Sequence, residues 1–128
     1  MTKNIKINRF SSKEVNLFFI NKLNSKIKNL NRVFFLVSKK KCVRGNHAHK
    51  VCAQYLISIK GNIKIEKEHL GKISKTTILE FKEIVKIKPK TWLKVHMKKN
   101  QILGVFCDKD FDEKEYIRNY KDFKKIKK

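Results

Sequence analysis

Residues 43–50, VRGNHAHK, put two imidazoles two positions apart behind an arginine and a glycine, in a chain with only four histidines. On a β-strand residues i and i+2 project to the same face, so His47 and His49 point together into whatever that face lines. Imidazole titrates near neutral pH and can both take and return a proton, which suits such a pair to proton transfer. Arg44 adds a guanidinium able to hold a diphosphate or stabilise a developing oxyanion. Gly45 lets the backbone turn tightly between them. Two histidines without a common task are the bland alternative.

Paired histidines at this spacing also hold metal ions. Metal-binding cupins, small jelly-roll barrels, follow their HxH with a glutamate, then a glycine, then a histidine on a later strand. Here Gln54 stands at the carboxylate position, Gly61 at the glycine, and Lys94 where the last ligand would fall. A lysine ammonium has no lone pair to donate. Two ligands are left, with His96 the one plausible third donor, so no metal is expected.

The elements that must position these groups read as strands. Short apolar or alternating runs follow one another from residue 15 to residue 107: VNLFFI (15–20), RVFFLV (32–37), CAQYLISI (52–59), NIKIEKE (62–68), TTILEF (76–81), EIVKIK (83–88), WLKVHM (92–97) and QILGVF (101–106). Their β-branched and aromatic content and even spacing predict an all-β antiparallel sandwich or barrel. Lys60-Gly61-Asn62 and Leu70-Gly71-Lys72 are expected to be hairpin connections. In NIKIEKE isoleucines alternate with charges, so one face is buried and the other wet. After Asp112 the pattern changes: Asp112 with Glu115 reads as a capping box, and Tyr116, Ile117, Tyr120 and Phe123 fit one stripe of a helix over about 112–126, docked on the sheet.

Composition bounds the rest. A chain of 128 residues, 41% hydrophobic with no internal repeat or linker, is expected to be a single domain spanning 1–128. No apolar run reaches the roughly 18 residues of a membrane span, and MTKNIKINRF lacks an apolar region behind its charges, so a cytoplasmic protein with no membrane partner is expected. Cys42, Cys52 and Cys107 form no CxxC pair and read as reduced, mostly buried thiols. The net charge of +22 invites a nucleic-acid partner. Only Arg9, Arg32, Arg44 and Arg118 of the 33 basic residues carry the fork suited to phosphate and base edges, and lysine, asparagine and isoleucine are abundant together, as codon bias would produce. No nucleic-acid partner is expected, although the field still attracts an anionic nucleotide sugar.

Arg44 to Lys50 with Gln54 and Gly61 resembles the RGxHAHK signature of the dTDP-4-keto-6-deoxyglucose 3,4-ketoisomerases, metal-independent sugar-nucleotide cupins. Arg32-Val33-Phe34-Phe35 resembles the family's preceding strand, Pro89 to Trp92 its PxxW, and Phe111 to Tyr120 its C-terminal YDExxYIRxY. The resemblance implies a small cupin jelly roll with a short C-terminal helix, a homodimer, and no cofactor. The implied reaction moves the carbonyl of a dTDP-linked 4-keto-6-deoxyhexose from C4 to C3, on the way to 3-amino sugars of surface glycans. His47 and His49 would be base and proton shuttle, with Arg44, Gln54, Trp92 and His96 binding substrate. Trp92 and Tyr55 could stack on thymine or hexose, or serve as core. Family members commonly carry tyrosine where Phe35 stands and histidine where Leu93 stands, both expected near the cavity. A cupin that binds a sugar nucleotide without turning it over, and a basic nucleic-acid-binding protein, are the competing classes.

Overall fold

Isoleucines alternating with charges along NIKIEKE demand two environments, and the computed structural model, which describes residues 4–126, supplies them as the inner and outer faces of packed sheets. The strands are β1 (Ile5–Lys6), β2 (Asn8–Ser11), β3 (Asn16–Phe19), β4 (Arg32–Val37), β5 (Cys42–His49), β6 (Gln54–Lys60), β7 (Ile63–His69), β8 (Lys72–Ile78), β9 (Glu83–Ile87), β10 (Trp92–Met97), β11 (Ile102–Cys107) and β12 (Tyr116–Ile117). One five-stranded sheet has the order β1-β9-β6-β11-β4 and the other β12-β5-β10-β7-β8, with β2 and β3 forming a separate hairpin. Every pairing is antiparallel. This is the expected all-β jelly-roll sandwich; it does not close into a barrel.

The core lies between the two sheets. Leu56, Val85, Leu103 and Val105 of the first sheet meet Ile63, Ile65, Val95 and Met97 of the second. Burying each such side chain contributes about 1.5–3 kcal/mol, so this layer fixes which face of every strand is inside. Ile63 and Ile65 are fully buried while Lys64 between them is exposed.

Of the two expected hairpin connections, one holds and one does not. Leu70-Gly71 does join a hairpin, β7 to β8, with φ of 52° and 78° as a tight two-residue turn requires. Lys60-Gly61-Asn62 is not a hairpin, because β6 and β7 lie in different sheets; it carries the chain from one layer to the other. The helix expected over 112–126 is broken into a 3-10 turn (Glu113–Glu115), the short strand β12 and the helix α2 (Tyr120–Lys124), which follows a one-turn α1 (Leu23–Lys26) in the chain and so takes the second number. Asp112 caps the turn by accepting from Lys114 N. Glu115 leaves the cap and turns inward, since β12 pairs Tyr116 with His49 and Ile117 with Ala48.

Candidate active site

The strand β5 does not run straight through its motif. Opposite β10, His47 pairs with Leu93, Gly45 with Lys94 and Arg44 with Val95, which leaves Asn46 as an extra residue at the step between Leu93 and Lys94. That extra residue is a β-bulge, with φ of +84° at Gly45 and +55° at Asn46. Without it Arg44 and His47, three positions apart, would point to opposite faces. The bulge brings both to the inner face, where they line a cavity of about 200 Å³ with Phe34, Gln54, Leu93, Val95, Tyr116 and Arg118. At Gly45 the neighbouring strand leaves no room for a side chain: a Cβ there would lie 2.7 Å from the Leu93 carbonyl oxygen.

His49 is buried at 4% exposure, and its ring centroid is 5.0 Å from that of His47, edge to face. Its Nδ1 contacts Glu115 Oε1. The other oxygen of Glu115 accepts from the backbone N–H of Val51 and of Cys52, each at 3.2 Å. Burial pushes the Glu115 carboxyl up, but the bonds from His49, Val51 and Cys52 outweigh it and hold it below its ordinary value, as a carboxylate. Burial lowers the His49 imidazole more than Glu115 raises it. A neutral imidazole facing a carboxylate carries its proton on Nδ1, so Nε2 presents a lone pair. That atom is buried and has no partner among the described residues.

His47 is fixed in the same tautomer. Its Nδ1 lies 3.0 Å from the Gly45 carbonyl oxygen, which can only accept. Burial, and then the neighbouring His49, lower its pKa to about 4. Both imidazoles are therefore neutral at pH 7, each with Nδ1–H tied to the protein. The ring of Tyr116 covers them, at 5.1 Å from His47 and 4.2 Å from His49, and its hydroxyl accepts from Arg32 Nη1 at 3.3 Å. Arg118 lies 4.4 Å over the same ring and forms a two-bond pair with Glu113, at 2.6 and 2.9 Å.

Of the residues predicted from sequence, His47, Arg44 and Gln54 line the cavity and His49 sits against it. Trp92 and His96 do not. They share a face, as their parity requires, but it is the outer one, because Leu93, Val95 and Met97 occupy the inner. Trp92 packs with Ala48, Ile117 and Phe123 as core, and His96 lies among Lys41, Lys64 and Lys98 on the far side of the sheet. Tyr55 is core as well, on the other sheet. Lys94 is also outside, 3.8 Å from Glu66. Phe35 points outward and is 54% exposed; its neighbour Phe34 faces the cavity, as does Leu93.

Glu115, Tyr116 and Arg118 were absent from the sequence-based site. The signal that could have found them was the resemblance of Phe111 to Tyr120 to the family's C-terminal motif, which contains all three; the strand Tyr116–Ile117 is too short to show a period. His49, Cys52 and Glu115 present donor atoms within 4.8 Å of one another. The carboxylate is already engaged by an imidazole and two amides, and its hydrogen bond to Cys107 and burial push the Cys52 thiol up, away from the thiolate a metal needs. The donor set fits a hydrogen-bonded dyad better than an ion.

Against known proteins, a model of a family described as FdtA, WxcM-like, C-terminal, matches residues 1–128. The TDP-4-oxo-6-deoxy-alpha-D-glucose-3,4-oxoisomerase of Aneurinibacillus thermoaerophilus is 28% identical over 98 residues, 75% of this chain and 70% of that protein. The sugar 3,4-ketoisomerase QdtA of Thermoanaerobacterium thermosaccharolyticum, solved with TDP, superposes with a TM-score of 0.84 at 26% identity, covering 94% of this chain and 90% of that one. A histidine-to-asparagine variant of QdtA, in complex with TDP-4-keto-6-deoxyglucose, gives 0.83 at 25% identity over 94% and 89%.

Proposed function

The chain belongs to the FdtA, WxcM-like C-terminal family, and from that premise we propose that it is a sugar-nucleotide 3,4-ketoisomerase. Its substrate is a dTDP-linked 4-keto-6-deoxyhexose and its product the 3-keto isomer. The observation that carries the reading is the buried, unpartnered Nε2 of His49, whose opposite nitrogen is held by Glu115 beside a cavity lined by His47 and Arg44.

The chemistry follows from those positions. His49 Nε2 removes the proton from C3 of the ketosugar, the C3–C4 bond becomes an enediolate double bond, and negative charge gathers on O4. Glu115 stabilises the imidazolium that forms, as a carboxylate behind a histidine base does. His47 Nε2 accepts the O3 hydroxyl proton and returns it to O4, and His49 returns its proton at C4. The Tyr116 hydroxyl, which already accepts from Arg32, donates to the developing oxyanion. Arg44 and Arg118 attract the diphosphate. No cofactor takes part, because carbonyl and carbinol exchange within one molecule.

Incubation with dTDP-4-keto-6-deoxyglucose in deuterated water tests this. Solvent deuterium at the sugar carbons of a 3-keto product is the expected result; bound but unchanged substrate would leave a binder without turnover. That second reading has lost one of its supports, since Phe35 faces away from the cavity.

The active protein is a cytoplasmic homodimer, and its product is the substrate class of an aminotransferase making 3-amino sugars for surface glycans such as O-antigen. In support of the dimer, β4 is an edge strand whose Val33, Phe35 and Val37 turn outward at 49%, 54% and 62% exposure. A soluble location is compatible with the described helices, none of which is long and apolar enough to cross a membrane.

A further inference from the structure

The outer face of the second sheet carries a row of side chains that the histidine cavity does not use. In the register of β5, β10, β7 and β8, Val43 stands opposite His96, His96 opposite Lys64, and Lys64 opposite Thr77. Cross-strand neighbours on one face have Cβ atoms about 4.5–5.5 Å apart, so imidazole, ammonium and hydroxyl stand side by side. Lys41, just before β5, and Lys98, just after β10, flank the row. With Asn62 these groups line a cavity of about 620 Å³, against about 200 Å³ beside the histidines. Small-molecule sites span about 300–1,000 Å³.

No carboxylate lines this cavity, and none of Lys41, Lys64 and Lys98 is in an ion pair among the described residues. The next residue on that face of β7 is Glu66, whose two oxygens each lie 3.8 Å from another ammonium, those of Lys75 and Lys94. Glu68, beyond it, accepts from Tyr120 and Lys124. Three ammoniums therefore share one concavity without an anion of the protein's own, and the two glutamates bound the positive surface on that side.

The loops that carry these groups are fixed from beneath. Ser38 and Gln101 are buried, at 6% and 7% exposure. Gln101 Oε1 accepts from Lys98 N at 2.8 Å, and its Nε2 donates to the Asn62 carbonyl oxygen at 2.9 Å. Ser38 Oγ donates to the Lys98 carbonyl oxygen and accepts from Gln101 N at 2.9 Å. Two buried polar side chains thus tie together the turns after β4, β6 and β10, which present Lys41, Asn62 and Lys98. Asn62 Oδ1 accepts from Glu80 N at 3.3 Å, which leaves its amide N–H groups to donate elsewhere. Donors held in place in advance cost a ligand less ordering than mobile ones.

We propose that this face holds a second anion site, separate from the histidine cavity, for a small oligophosphate of the diphosphate class. Lysine binds phosphate as a point charge, and a lone carboxylate would leave most of the charge of three lysines unmatched. His96, Asn62 and Thr77 add N–H and O–H donors for the remaining oxygens. No Phe, Tyr or Trp ring lines the cavity to stack a base, and Glu66 and Glu68 cut the positive surface short, so the occupant is a compact anion and not a nucleic-acid strand.

The site does not depend on the isomerase reading. Titration calorimetry with inorganic diphosphate at 0.15 M salt, on protein first saturated with TDP to fill the histidine cavity, tests it. The expected result is one diphosphate bound per chain, with affinity lowered about tenfold or more in Lys64→Gln/Lys98→Gln. Lys13→Gln/Lys28→Gln removes the same charge from exposed positions of the N-terminal segment and should change it by about twofold or less, because remote charges are screened. Gln101→Ala keeps every ammonium but unties the loops, and should weaken diphosphate severalfold with TDP affinity unchanged; should it not fold, the lysine variants still decide. A second TDP per chain, lost with Lys64 and Lys98, would support the site and identify a nucleotide as the source of the diphosphate. No heat with diphosphate, equal weakening in the two double variants, or its complete displacement at one TDP per chain would overturn the proposal. So would duplex DNA retained through Lys64 and Lys98 that diphosphate fails to release. Absence of any TDP binding would count against the nucleotide-sugar reading alone, since the lysine variants report on the diphosphate site by themselves.

Discussion

At the scale of single residues, the tautomer of His49 decides whether a base exists. Glu115→Gln isolates that point. A glutamine can still accept the Val51 and Cys52 N–H groups with its oxygen, but it offers an NH2 to His49 Nδ1, which must then become an acceptor. The imidazole proton moves to Nε2, and the lone pair that would take the C3 proton is gone. We expect kcat to fall by about 10²–10⁴-fold, the range of a lost general base, with TDP affinity and thermal stability little changed. A stopped-assay kcat with calorimetric binding of TDP checks the split. The imidazoles also set a pH window. Because burial lowers His47 to about 4, from the ordinary histidine value of about 6.5, the unfolded chain takes up its proton first as pH falls. Its contribution to stability is complete above pH 6.5 and is lost progressively between 6.5 and 4. Turnover needs the same neutral form, so the acid limb of kcat/KM is expected below pH 6.5; a limb centred at or above that value would show that the imidazoles are not desolvated.

At the scale of elements, the strands were readable where a half-buried pattern was long enough. RVFFLV and WLKVHM match β4 and β10 end to end because apolar and polar environments alternate along them. Which face of β10 was inside was misread, since Trp92 and His96 were expected in the site, although Lys94 between them shares their parity and marks theirs as the outer face. The C-terminal segment was misread because Asp112 and Glu115 have the spacing of a capping box, while the pairing that pulls Glu115 away is with β5, 66 residues from His49 along the chain. The bulge at Gly45 and Asn46 could not be seen as a change of parity, although Gly45 was legible as a tight position. It is nevertheless the feature that assembles Arg44 with His47. Gly45→Ala forces a Cβ to 2.7 Å from the Leu93 carbonyl oxygen at a φ of +84°. The expected cost is about 1–3 kcal/mol in urea unfolding, the range for a strained backbone position. If the bulge relaxes instead, stability is spared and Arg44 and His47 part company. Loss of kcat/KM at near-native stability identifies that second outcome.

At the scale of the molecule, a charge of +22 on 128 residues bears on every association this chain makes. Two copies repel one another through solvent, and an outward apolar layer on the first sheet compensates. Phe35 lies against Ile57 and Ile59 over Gly104, where the missing side chain leaves the three in one outward layer, with Val33 and Val37 beside it on the edge strand. Association through that layer gains from burial, which salt does not screen, and loses to repulsion, which it does. Raising ionic strength shortens the Debye length from about 30 Å at 0.01 M to about 10 Å at 0.1 M, so the proposed dimer is expected to tighten over this interval. Binding to a polyanion behaves in the opposite sense, because phosphate contacts release counterions and weaken as salt rises. Sedimentation equilibrium at the two salt concentrations, with retention on duplex DNA measured in parallel, separates the two uses of the charge. Phe35→Lys places an ammonium in the centre of the apolar layer and should give a monomer at both concentrations with its cavity intact, since the residue faces away from His47. If that variant still dimerises, the subunits meet through another surface.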